Sequence, residues 1–117
     1  MKFKHTNTTI ERTLPKLIRD NIPSLIKHKE GYYPKVERAK NNKLFLMFLL
    51  KKLKEEASEA SKGKNKEEIL NELVDIEEVK LSICELLKIN LKELEKIRVL
   101  KRKQNGAFAK RYILKNK

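Results

Sequence analysis

The stretch from Lys52 to Asp75, KLKEEASEASKGKNKEEILNELVD, constrains the fold more than any other part of the chain. Two runs of helix-forming residues flank the polar turn Ser61-Lys62-Gly63-Lys64-Asn65. Each run carries carboxylates three positions apart: Glu56 and Glu59 before the turn, Glu72 and Asp75 after it. Residues at i and i+3 are neighbours on a helix surface, so each pair can address one spot. Projection at about 100° per residue shows where that spot lies. On the second run Ile69, Ile76, Val79, Ile83 and Leu86 form an apolar stripe, with Glu72 inside it and Asp75 on its edge. On the first run Phe45, Leu49, Leu53 and Ala60 form the stripe, with Glu56 inside it and Glu59 on its border. The faces that must pack together therefore carry acids.

An unpaired buried carboxylate either takes up a proton or binds a cation. Four that converge cannot all stay ionised without positive charge among them. A hard divalent ion, Mg²⁺ or Mn²⁺, accepts oxygen ligands in near-octahedral geometry and fits that need. Glu56, Glu59, Glu72 and Asp75 are accordingly the expected metal ligands. The bland alternative is a solvated acidic face paired with Lys52 and Lys54. Placement of two acids inside the stripes, repeated across a turn, argues against it.

With 117 residues the chain suits one domain with a modest core. Its longest apolar run, Leu44 to Leu50, is too short to span a membrane, and no signal peptide stands out. The lone Cys84 excludes an intrachain disulfide framework and reads as a small core residue. A cytoplasmic location is expected. The net charge of +13 is unevenly spread. Residues 1–43 hold 11 basic and 4 acidic side chains, residues 44–88 hold 8 and 10, and residues 89–117 hold 10 and 2. An acidic centre between basic flanks suits a polyanion site with metal at the centre and phosphate at the flanks. A nucleic-acid binder could share the charge total but has no need of acids in its core.

Residues 1–13 show no clear period and read as a loose extension, with His5 facing solvent, ahead of a single helical domain over 14–117. A short helix is expected from about Pro23 to Lys29, stopped by Gly31. Long helices follow over about Lys43–Ala60 and Lys66–Leu87. A third long helix is capped by Asn90, with Glu93 at the N3 position, and ends at Asn105-Gly106. The short runs 35–38 and 111–114 suggest a minor two-stranded sheet near the termini. The fold class is thus all-α, an antiparallel helical bundle with that one β addition.

Glu55-Glu56-x-x-Glu59, twelve residues, then Glu72-x-x-Asp75 resembles the EExxE…ExxD signature of the MazG-like all-α nucleotide pyrophosphohydrolases. Lys16-Leu17-Ile18-Arg19-Asp20-Asn21-Ile22-Pro23 is similar to the KLVRDxIP opening of a house-cleaning, phosphoribosyl-ATP pyrophosphohydrolase-like branch. Lys52-Leu53 and Asn105-Gly106-Ala107-Phe108 fall where that branch has KL before the acids and RGGF near its end. Asn105 for arginine and Ala107 for glycine are departures that leave substrate choice and rate open. The resemblance covers roughly residues 14–114.

It implies hydrolysis between the α- and β-phosphates of a nucleoside triphosphate, giving a monophosphate and pyrophosphate. Such chemistry needs charge neutralisation and an in-line water more than a covalent nucleophile, and no nucleophile stands out in the chain. Glu55 is the candidate to orient or deprotonate water, and Lys52 to offset developing phosphate charge. Lys16 and Arg19 are phosphate-contact candidates through the resemblance. Lys103, within the cluster Lys101-Arg102-Lys103, reads as a solvated helix end or a further phosphate contact. A homodimer or higher oligomer is expected, both from the resemblance and from the number of apolar positions on the helices. Two other classes stay open: a basic nucleic-acid or polyanion binding module, and a catalytically silent assembly protein of MazG-like fold.

Overall fold

A computed structural model describes residues 14–116; the expectations for residues 1–13, His5 among them, lie outside the described residues. Among the described residues the chain forms four helices and no strand: α1 (Ile22–Glu30), α2 (Asn42–Ser61), α3 (Lys66–Leu86) and α4 (Leu91–Asn105). No helix among them is long and apolar enough to cross a membrane.

Asparagine sits at the N-cap of all four helices and caps three of them through its side chain. Its short side chain accepts from backbone amides that the first turn leaves unbonded. Asn41 Oδ1 accepts from the Leu44 amide at 2.8 Å, and Asn65 Oδ1 from the Glu68 amide at 2.9 Å. Asn90 Oδ1 accepts from the amides of Lys92 and Glu93 at 2.8 and 3.2 Å. At α3 the cap is reciprocal, because the Glu68 carboxylate accepts from Asn65 Nδ2 at 3.1 Å. The short α1 places Pro23 in its first turn and ends at Gly31, whose φ of 85° is one that side chains disfavour.

α2 and α3 pack along one another as a helical hairpin, and no other pair of helices packs comparably. Four residues, 62–65, join them, so the two run antiparallel. Gly63 lets the turn close tightly. A Cβ there would lie 2.6 Å from Ile69 Cγ1 and 3.2 Å from the Ala60 carbonyl oxygen.

The buried apolar side chains are few: Ile22, Pro23 and Ile26 of α1, Pro34 after it, Leu49 of α2, and Val79 and Cys84 of α3. Cys84 is thus a buried free thiol, as expected of a small core residue. Lys52, Glu56, Asn71 and Glu72 are buried with them. Helix α4 buries no residue at all.

The expected two-stranded sheet is absent among the described residues. Arg111 has a φ of 57°, in the left-handed region, and its amide donates to the Phe108 carbonyl at 3.0 Å in a turn. That conformation cannot continue a ladder. Val36 and Ile113 are largely exposed, so neither segment has a core on which a sheet face could pack.

Candidate metal centre

The hairpin sets Glu56 and Glu72 opposite one another. Counting from the turn, each lies about eight residues away, so they sit at the same height. Glu56 is 1 % exposed and Glu72 6 %, and Glu56 is the most enclosed large side chain among the described residues. The Oε2 atoms of both are buried without a hydrogen-bond partner. Orphaned buried oxygens are rare in folded proteins and call for a ligand or a proton. Asp75 joins them from one turn further along α3. One carboxylate oxygen from each of Glu56, Glu72 and Asp75 lies within 4.8 Å of the others.

That spacing fits a hard divalent ion. Oxygens that share one Mg²⁺ at bond lengths of about 2.1 Å lie about 3.0 to 4.2 Å apart, so the three acids would have to draw closer together around an ion. The three acids would supply part of the shell and leave its other positions open.

Glu59 stands elsewhere. It lies one turn nearer the loop than Glu56, whereas Asp75 lies one turn farther from the loop than Glu72. At about 1.5 Å per residue the two outer acids are about 10 Å apart along the hairpin. The Glu59 side chain is exposed and lies 3.9 Å from Lys62 Nζ. The structure therefore gathers three of the four expected ligands and leaves Glu59 at the surface.

Lys52 is the internal counter-ion. Its buried ammonium lies 3.3 Å from Glu55 Oε2 and 3.4 Å from Glu56 Oε1. Lys16 lies 3.3 Å from the other oxygen of Glu55, so two cations hold that carboxylate beside the cluster. Arg19 donates to Asp75 Oδ1 at 2.8 Å. The segment that precedes α1 thus crosses the acids, bringing one cation to Glu55 and one to Asp75.

These charges do not fully compensate Glu56. Burial, and after it the neighbouring Glu72 carboxylate, raise its pKa to about 7, while Lys52 pulls the other way. Desolvation and a second carboxylate outweigh one ammonium.

A cleft of about 260 Å³ opens at the cluster. Glu56, Asp75, Lys52 and Arg19 line its polar end, and Leu17, Ile18, Phe45, Leu49 and Val79 give it apolar walls. Asp20, Glu78 and Ser82 also face it. Glu78 had a legible signal, since it continues the i+3 line of Glu72 and Asp75. Phe45 was legible only as a member of the apolar stripe, and Ser82 carried no signal. Lys103, in the last turn of α4, is exposed and does not line this cleft.

Compared with known proteins, the chain matches no family model, no curated protein and no solved structure. The likeness to MazG-like enzymes accordingly rests on the motif residues alone.

Proposed function

We propose that the chain is a metal-dependent nucleoside triphosphate pyrophosphohydrolase of MazG-like type, cleaving between the α- and β-phosphates, and acting in the cytoplasm. One observation carries this reading: two buried carboxylates from facing helices, each with an unpartnered oxygen, gather with Asp75, and Glu56 and Asp75 line a cleft. Glu56, Glu72 and Asp75 would hold Mg²⁺ or Mn²⁺, which when bound neutralises phosphate charge and polarises the phosphoryl oxygens. Glu55, fixed between Lys16 and Lys52, orients the attacking water and takes its proton. Arg19 exchanges Asp75 for a phosphate oxygen, and its planar guanidinium suits that role. Lys52 holds positive charge at the floor of the site. The apolar walls around Phe45 exclude water from one side of the nucleotide.

The test is pyrophosphate release across a panel of standard and modified nucleoside triphosphates with Mg²⁺, Mn²⁺ or EDTA. Turnover should require metal and vanish in Glu72→Gln. The melting temperature should respond in parallel. An ion at a hundred times its dissociation constant stabilises the fold by about 2.7 kcal/mol, which raises the melting temperature of so small a domain by about 10 °C. Glu72→Gln should lose that response, yet melt higher than wild type in EDTA because one buried negative charge has gone. Identical melting in Mg²⁺, Mn²⁺ and EDTA would sink the metal centre. Salt-sensitive DNA binding that survives EDTA and Glu72→Ala would instead favour a polyanion-binding module, which the basic flanks suit. A metal response without turnover of any nucleotide would favour a silent assembly protein.

A further inference from the structure

α4 is a helix without a core. Leu91, Leu94, Ile97 and Leu100 recur along it at intervals of three, yet only Leu94 is even half-buried, and among the described residues α4 packs along no other helix. The segment after it is barer still, with Phe108 94 %, Tyr112 86 %, Ile113 82 % and Leu114 75 % exposed. A second unpartnered face lies on α3, where Leu70, Leu73 and Val74 point away from the hairpin interface and are all exposed. Their i, i+3, i+4 spacing makes one stripe.

Charge relates the two faces. α4 carries six basic residues against Glu93 and Glu95, and Lys110, Arg111 and Lys115 follow it. α3 carries seven acids against Lys66 and Lys80. Of these acids, Glu67 and Glu77 flank the Leu70–Leu73–Val74 stripe at i−3 and i+7.

Area says how much must be covered. Two aromatic rings contribute about 150 to 250 Å² each. With the aliphatic side chains beside them, the α4 and 107–114 surface reaches on the order of 1,000 Å², against roughly 300 to 600 Å² for the largest patch on an ordinary monomer. A standard interface buries about 800 Å² on each partner.

We infer that α4 and residues 107–114 form an arm that packs over the Leu70–Leu73–Val74 face of a second copy of this chain, the two copies exchanging arms about a two-fold axis. Each chain supplies one basic apolar arm and one acid-rimmed apolar face, so the exchange closes on itself. Oppositely charged rims steer the arm to the face and set its register. The acid cluster faces α2, on the other side of α3, so the exchange leaves the cleft open. The inference is independent of the hydrolase reading.

Light scattering on the full chain at micromolar concentration tests it. The wild type should have the mass of a dimer. Leu73→Lys on the face, and Ile97→Glu with Leu100→Glu on the arm, should each weaken association at least about thirtyfold, the loss expected for a central interface residue. The arm substitutions remove little packing from their own copy, since Ile97 and Leu100 are more than half exposed there. Circular dichroism should show the helices intact. Val36→Glu, in the loop before α2, should stay dimeric. A monomeric wild type overturns the inference, as does a dimer that survives both the face and the arm substitutions. A monomer that gains mass only when an oligonucleotide is added overturns it too, and assigns the arm to nucleic acid.

Discussion

At the scale of single residues, Glu56 sets the pH behaviour of the molecule. Its folded carboxyl keeps a proton up to about pH 7, against 4.5 for the same group freed from its surroundings. The folded state therefore binds that proton more tightly than the unfolded state does. The resulting stability is fully present below about pH 4.5 and is lost as the pH rises through about 7. In EDTA the melting temperature should fall across this window, and Glu56→Gln should flatten the profile. A wild-type curve that stays flat or climbs there would show that Lys52 compensates the acid fully. The same proton opposes metal. Mg²⁺ affinity, followed by titration calorimetry, should strengthen as the pH passes from 6 to 8 and then level off, because a ligand carboxylate must lose its proton first.

At the scale of elements, the hairpin depends on its turn. Gly63→Ala would force a methyl group against Ile69 and the Ala60 carbonyl, and crowding of this kind costs about 1 to 3 kcal/mol. Asn65→Ala removes the reciprocal cap of α3 and should cost about 1 kcal/mol. Both effects should appear in the urea midpoint. The cluster should feel Gly63→Ala more, since a shifted turn moves Glu56 against Glu72. A metal response left intact in that variant would show that the register is fixed elsewhere. Much of this element structure was legible in the sequence. Helix ends followed from Asn90, Gly31 and the Asn105-Gly106 stop, because caps are local chemistry that travels with the residue. The acids at 56 and 72 were legible because helical periodicity alone places them inside the stripes. Glu59 was not, because its fate depends on hairpin register. The paired motif treats the two helices alike, whereas an antiparallel hairpin sends their outer acids in opposite directions. The strands failed for a related reason. Residues 111–114 alternate like a strand, but alternation makes a ladder only where a core and a partner wait, and here neither does.

At the scale of the whole molecule, much of the apolar surface that a single copy leaves in water lies on α4 and the segment behind it. An isolated copy would offer proteases Lys101, Arg102, Lys103, Lys110 and Arg111 on backbone that nothing covers. Once arms are exchanged, the same bonds lie against another chain. Trypsin should therefore clip the arm rapidly at nanomolar concentration and slowly at micromolar, while the α2–α3 hairpin resists at both. Equal rates at both concentrations would mean that the arm is never sheltered. Were arm exchange to shelter it, the number of copies in a cell would govern how long each one lasts. A scarce chain is trimmed and cleared, an abundant one persists, and a modest change in synthesis becomes a steeper change in the amount that survives.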